Sequence, residues 1–301
     1  NANLYDPDPK GIRDILIVDE KVFSVAEHID PPELSAPVEV VSADGKMVIP
    51  GLPKDIKNVI KKYPAPFKAG LQGPDFLFYY RAFSKNKINQ IGVAIHHKDF
   101  FPFMTHAVKI VNKYGKNSSQ YSYLLGLICH YVLDKNCHPY VNVTMDETDC
   151  GHIEIEGAFE HKLLVEDGYA PESFPMHHLI PTKESVAESM SPFYNQISTY
   201  TIHASLKWMY IIKKFFVAPH KAKRTCIDLL MHATFHYKSL YGHVVEPDSN
   251  PRCEHHLDYL YELFENSATE AVYLIQNFNN ALCGDVLSNK FRYDFSGTLY
   301  F

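Results

Sequence analysis

The chain has 301 residues, 46% of them apolar, which is enough for a sizeable core and excludes a disordered, solvated polypeptide. Its formal net charge of −6 offers no general attraction to polyanions, so no nucleic-acid partner is expected. Six cysteines, at 129, 137, 150, 226, 253 and 283, form no CxxC pair, and no run of about 18 apolar residues is present to span a bilayer. The opening stretch Asn1-Ala2-Asn3-Leu4-Tyr5 carries no basic-then-apolar signal, and a cytoplasmic location is the expectation.

Residues 1–52 read as a small β-rich segment. Asp14-Ile15-Leu16-Ile17-Val18 is an apolar strand, Asp19-Glu20 a turn, and Lys21-Val22-Phe23-Ser24-Val25 the return strand. A second hairpin is expected from Val38 to Ile49 around Asp44-Gly45, closed by Pro50-Gly51. From residue 53 the pattern turns helical. A short amphipathic helix is predicted over 54–62. The Gly70-Leu71-Gln72-Gly73-Pro74-Asp75 stretch is a turn, and an apolar, strand-like stretch leads to His96 and His97. Helices are predicted over 103–114 and 118–138. In the second of these, Tyr121, Leu124, Leu125, Ile128, Val132 and Leu133 form the apolar face, Ser118-Ser119 caps the start and Pro139 stops it. Further helices are expected over 183–200, 203–217, 220–241 and 254–280, with an irregular tail over 281–301 that has room for one strand. The fold class is therefore mainly α, with a β-rich piece at 1–52 and an all-helical domain at 53–301.

Seventeen histidines is a high count, and several recur with carboxylates at helical spacing. His130, Asp134 and His138 stand at i, i+4 and i+8 in an otherwise apolar helix, which sets three side chains on one stripe. His152 and Glu156 repeat the i, i+4 pair at the start of the next helix. Asp75 follows the rigid Gly-Pro turn, and His96 follows further on. A lone His-x-x-x-Asp pair is usually a surface ion pair, but isolated charges in an apolar helix are costly to bury, and metal ligation removes that cost. Imidazole nitrogen and carboxylate oxygen suit zinc. Cys129 and Cys137, one position off the stripe, read as packing residues, and His97 as support for a ligand. His232 and His236, a further i, i+4 pair without an obvious acidic neighbour in sequence, read as core or surface side chains, and His161, His177, His178, His255 and His256 show no informative spacing.

These residues carry a resemblance. Gly70 to Tyr80, Ile95-His96-His97, Gly126 to Asp134 with His138-Pro139-Tyr140, and His152 to Glu156 together make segment 69–301 similar to the zinc-dependent phospholipase C family, which includes bacterial phosphatidylcholine-cleaving enzymes and the catalytic domain of clostridial alpha-toxin. The resemblance implies an all-α fold with a phosphodiesterase site of two or three Zn2+ ions. Asp75, His96, His130 and Asp134 would hold the first ion, and His138, His152 and Glu156 the second. Asp134 would bridge to a third, which in the family also takes the mature N-terminal amine and an early His; segment 51–69 has no His. Asp75 is the candidate general base, with metal ligation as its competing role. The substrate so implied is a phospholipid or related phosphodiester, with room for peripheral contact with a membrane; the oligomeric state is left open. A zinc-dependent single-strand nuclease and a catalytically silent, metal-stabilised binding module are the alternatives.

Residues 1–51 resemble something else, the N-terminal segment of amidohydrolase-superfamily isoaspartyl dipeptidases, through Leu4-Tyr5-Asp6-Pro7, Gly11 to Ile17 and Gly45 to Gly51. In that family a metal-binding His-x-His follows shortly. Here Leu52-Pro53-Lys54-Asp55-Ile56 follows instead, so the segment is expected to be a non-catalytic appendage.

Overall fold

In the computed structural model, residues 2–5, 9–18, 21–26, 47–48, 51–234 and 237–301 are described, and the chain falls into two units, Asn1–Pro53 and Lys54–Phe301. The first holds four strands, β1 (Ala2–Tyr5), β2 (Pro9–Val18), β3 (Lys21–Ala26) and β4 (Met47–Val48), in the order β3-β2-β1-β4. β2 and β3 form the expected antiparallel pair from Asp14↔Ala26 to Val18↔Lys21, with a register shift between Leu16 and Ile17. β4 pairs in parallel with β1. The remainder of the second predicted hairpin, including Asp44-Gly45, lies outside the described residues.

The second unit is helical: α1 (Lys54–Lys62), α2 (Pro64–Leu71), α3 (Lys87–His96), α4 (Phe101–Tyr114), α5 (Ser119–Thr148), α6 (His152–Glu166), α7 (Glu184–Met190), α8 (Thr199–Phe216), α9 (Lys221–Ala233), α10 (Tyr237–Leu240) and α11 (Glu254–Ala281). Helix α5 is its axis, with α1, α2, α4, α6, α7 and α11 packed around it. The run from Tyr121 to Ile128 is buried on every side, as a helix wrapped by neighbours requires. Gly70 on α2 meets Gly126 on α5, and a Cβ on either would run into the other helix's backbone, so this pair of glycines permits the close crossing.

Four sequence expectations need correction. Pro139 does not end α5, which continues nine residues further to Thr148. Packing carries it through. Glu270 of α11 accepts hydrogen bonds from Lys135 Nζ (3.0 Å) and Asn136 Nδ2 (2.9 Å) just before the proline, and Val141 and Thr144 are buried just after it. Those contacts offset an interior proline's cost of about 3 kcal/mol.

The strand-like stretch before His96 is helix α3. Its β-branched run suggests a strand, but Asn86 caps a helix by accepting from Ile88 N–H (3.0 Å) and Asn89 N–H (3.1 Å). The expected helices over 183–200 and 220–241 are each interrupted. The first ends at Met190, ahead of a 3-10 turn at Ser191–Phe193, and Ser198 caps α8 by accepting from Thr201 N–H (3.1 Å). The second breaks after Ala233, and α10 begins at Tyr237.

The tail is mostly irregular, with a 3-10 turn at Asn289–Arg292 and a single antiparallel bridge between Tyr293 and Leu299. It is nonetheless core: Phe291 and Phe295 are fully buried, and both pack on Tyr131 of α5.

Candidate functional site

The predicted ligands converge on one cleft of about 1240 Å³. Gly73 adopts φ +55, a left-handed turn, and a side chain there would collide with the His130 ring. The turn delivers Asp75 to the first residue of a 3-10 segment, Asp75–Tyr79. His96 is the last residue of α3. His130, Asp134 and His138 lie along α5, and His152 and Glu156 sit in the first two turns of α6.

Two trios result, Asp75–His96–His130 and His138–His152–Glu156, each with its ligand-capable atoms within 4.8 Å of one another. Asp134 stands between them. Its Oδ2 is 3.1 Å from His130 Nε2 and its Oδ1 is 4.0 Å from His138 Nε2. Within the first trio His96 Nε2 lies 2.8 Å from Asp75 Oδ1, and within the second His152 Nε2 lies 3.0 Å and His138 Nε2 3.6 Å from Glu156 Oε1.

The outer nitrogens of two histidines are held by backbone. His96 Nδ1 donates to Gly92 O (2.8 Å) and His138 Nδ1 donates to Phe295 O (2.8 Å), which fixes both tautomers with Nε2 turned to the carboxylates. His130 Nε2, despite its 3.1 Å and 4.0 Å approaches to Asp134 and Asp75, lies off hydrogen-bonding directions and has no hydrogen-bond partner among the described residues. A buried ring nitrogen aimed between carboxylates without bonding to them suits a cation ligand, and two nitrogens plus an oxygen per trio is a donor set suited to zinc.

The electrostatics say the same. Burial would lower the imidazole pKa values of His130 and His138, but the carboxylates beside them outweigh it and raise both to about 9. Burial would raise Asp75, but His130 and His96 hold it below the ordinary carboxylate range. Glu156 is likewise held well below that range by His138 and His152, against its own burial. His130, His138, Asp75 and Glu156 are thus held in their charged forms by their neighbours, and a metal would substitute for the protons.

Other residues fall differently. His97 is exposed and faces the tail, with Nδ1 3.3 Å from Ser296 Oγ, so it supports no ligand directly. Cys137 is buried in a core cluster; Cys129 is half-buried, and burial pushes its thiol up to about 12. His232 has an acidic neighbour after all, Asp228 one turn earlier, 3.6 Å away on the surface. His236 lies outside the described residues.

Among the cleft residues that the sequence does not single out as functional are Glu160, Lys213 and His243, and Tyr79 joins them there. Glu160 has a signal, since it extends His152-x-x-x-Glu156 by one more turn. Burial and the Glu156 charge raise its carboxyl, against Lys213. His243 is kept neutral, lowered to about 4 by burial and Lys213. Phe295 is also missed, although its ring lies 5.0 Å from His96 and 5.9 Å from His130 and its carbonyl holds His138.

No curated protein and no solved structure matches the chain. The family described as zinc dependent phospholipase C matches over residues 40–214, more than half of the chain. That stretch contains both trios and Asp134. It begins upstream of α1 and stops within α8, so that α9, α10, α11 and the tail lie beyond it. With its zinc-type ligand geometry inside the matched residues, the chain belongs to the zinc-dependent phospholipase C family.

Proposed function

We propose that the protein hydrolyses a phospholipid or closely related phosphodiester, with one zinc ion in each trio. The observation that carries this reading is the pair of His-His-carboxylate trios joined by Asp134 in a single cleft. In this assignment Asp75, His96, His130 and Asp134 ligate the first ion, and His138, His152 and Glu156 the second. When bound, zinc supplies Lewis-acid chemistry: it polarises phosphoryl oxygens and acidifies water.

The chain's own residues do the rest. His130 and His96 hold Asp75 ionised, which supports a general-base role toward an attacking water as the alternative to its ligation of the first ion. His96 and His138, with their Nδ1 atoms tied to backbone carbonyls, keep the ligand set from rotating. Apolar side chains line the cleft and remain exposed at its rim: Phe83 is 84% and Val93 50% solvent-accessible. That rim suits a substrate with an apolar part and a membrane surface better than it suits a nucleic acid. No helix among the described residues is long and apolar enough to cross a membrane, so contact with lipid would be peripheral.

The test is a panel of phosphatidylcholine vesicles, a chromogenic phosphodiester and single-stranded DNA, on protein of known zinc content, with and without a chelator. Chelator-sensitive cleavage of lipid or chromogenic diester is the expected result. Cleavage of DNA alone would make the protein a nuclease, and inactivity of fully loaded protein on all three would make it a silent metal-bound module.

A further inference from the structure

One face of α8 forms a wall of the cleft through Met209, Ile212, Lys213 and Phe216, spaced i, i+3, i+4 and i+7 as a single helical stripe. Three of these are apolar, and Lys213 is the cation among them. Its helix neighbours Lys207 and Lys214 are exposed, whereas Lys213 is half-buried. Helix α8 also packs on the Asp75–Tyr79 segment, which brings this stripe beside the first trio.

We infer that Lys213 is a phosphate-binding residue of the cleft, its ammonium taking a non-bridging oxygen of the substrate's phosphodiester from the α8 wall. The inference rests on the phosphodiesterase reading and adds a residue to it. The Lys213 ammonium lies within electrostatic reach of the neutral Tyr79 phenol and of the Glu160, Glu156 and Asp75 carboxyls, with no hydrogen bond to any of them. Glu156 belongs to the second trio and Asp75 to the first, so Lys213 reaches the ground between the two.

A half-buried cation on an otherwise apolar face needs an anion. The three carboxylates of the metal site are committed once zinc binds, and Glu160 is not hydrogen-bonded to Lys213. His243, beside Lys213 and neutral, does not compete for an anion by charge. A phosphodiester carries one negative charge on two equivalent oxygens, which allows one oxygen to face the metals while the other faces the ammonium. Lys is a fitting residue for that role as a compact point charge on a flexible stem.

The experiment compares zinc-loaded wild type with Lys213→Met, Lys213→Gln and Lys213→Arg in the full chain. It measures zinc content, melting temperature, inorganic phosphate binding by titration calorimetry, and kcat and KM on a chromogenic phosphodiester. The expected result is unchanged zinc in the two neutral variants, phosphate binding weaker by about tenfold or more, and kcat/KM lower by about a hundredfold. The arginine variant should regain most of the phosphate binding. Wild-type phosphate affinity in both neutral variants would overturn the inference, and so would loss of zinc from them, which would make Lys213 a support of the metal site. If wild type binds phosphate but cleaves no diester, the phosphodiesterase reading fails, while the calorimetry still decides whether Lys213 holds phosphate.

Discussion

Two regions of this molecule build the same site by opposite means. Helices α5 and α6 supply five of its seven ligand candidates by periodicity, since side chains four residues apart share a face and one long buried helix aligns three of them. The tail at 289–301 supplies no ligand and almost no regular structure, yet Phe295 closes over the His96 and His130 rings and its carbonyl orients His138. Asp294 anchors that tail, accepting from Ser296 N–H (2.9 Å), Thr298 N–H (2.8 Å) and Tyr300 Oη (3.3 Å). The helical region determines which atoms can meet a metal, and the tail determines how they are held. A site can therefore be readable in its ligands and unreadable in its supports.

The sharpest break in the helical half is Asp134→Ala. Among the described residues this carboxylate alone approaches histidines of both trios, and its removal leaves His130 and His138, each raised to about 9, short of a compensating charge in a buried setting. The expected outcome is loss of at least one zinc by elemental analysis, activity at background and destabilisation of about 3–5 kcal/mol. Retention of full zinc content would remove Asp134 from the ligand set.

Phe295→Ala tests the other half. The ring is fully buried and packs on Phe100, Tyr131, His96 and His130. Truncation should cost about 3–5 kcal/mol in stability through the cavity it leaves. Because every ligand is still present, zinc should bind at the same stoichiometry but more weakly. If Phe295→Ala lowers stability without changing zinc affinity, the tail is core packing and nothing more.

How much of this is visible in the sequence follows from the kind of interaction. The α5 and α6 ligands are local, so spacing alone sets them on one stripe. Asp75 and His96 come from separate elements, and family resemblance joins them to the rest. The Pro139 error has a different origin. A local rule says a helix stops there, whereas contacts from Glu270, more than a hundred residues away, carry it on. Asn86 is the reverse case, a cap that the sequence displays and that decides helix over strand for α3. Phe295, Lys213 and His243 reach the site only through tertiary packing, and nothing in their immediate neighbours announces it.

Protonation offers a smaller effect, measured on chelator-treated protein. His130 and His138 are raised to about 9 from an ordinary 6.5, so the stability they add is fully present below about pH 6.5 and is lost as pH rises toward 9. Asp75 and Glu156 are depressed, so their contribution is present above the ordinary carboxylate range and is lost as pH falls below about 4. His243 works against a lower optimum: lowered to about 4, it withdraws stability as pH falls from 6.5 toward 4, so the metal-free melting temperature should peak near about pH 6.5. At pH 7 both histidines carry protons that zinc must displace, and calorimetry in buffers of different ionisation enthalpy should find about two protons released on loading. A metal-free melting temperature that rises from pH 6.5 to 9 would contradict the charge arrangement.

The smallest expected effect is the most informative about spacing. Asp228 and His232 on helix α9 share the i, i+4 spacing of His130 and Asp134 in the reverse order, with His232 Nδ1 3.6 Å from Asp228 Oδ2. Their environment differs in every respect that matters. The His232 side chain is 59% exposed and that of Asp228 45%, against 8% and 13% for His130 and Asp134. Water screens the outer pair, and neither member belongs to either trio. His232→Ala should leave zinc content unchanged and shift stability by no more than about 0.5 kcal/mol, whereas His130→Ala should lower both. Each substitution removes a histidine one helical turn from an aspartate, so a difference between them reflects burial and convergence more than the i, i+4 spacing. Equal zinc binding by the two variants would mean that His130 is no ligand, and that the α5 stripe, for all its regularity, is an ion pair like the one on α9.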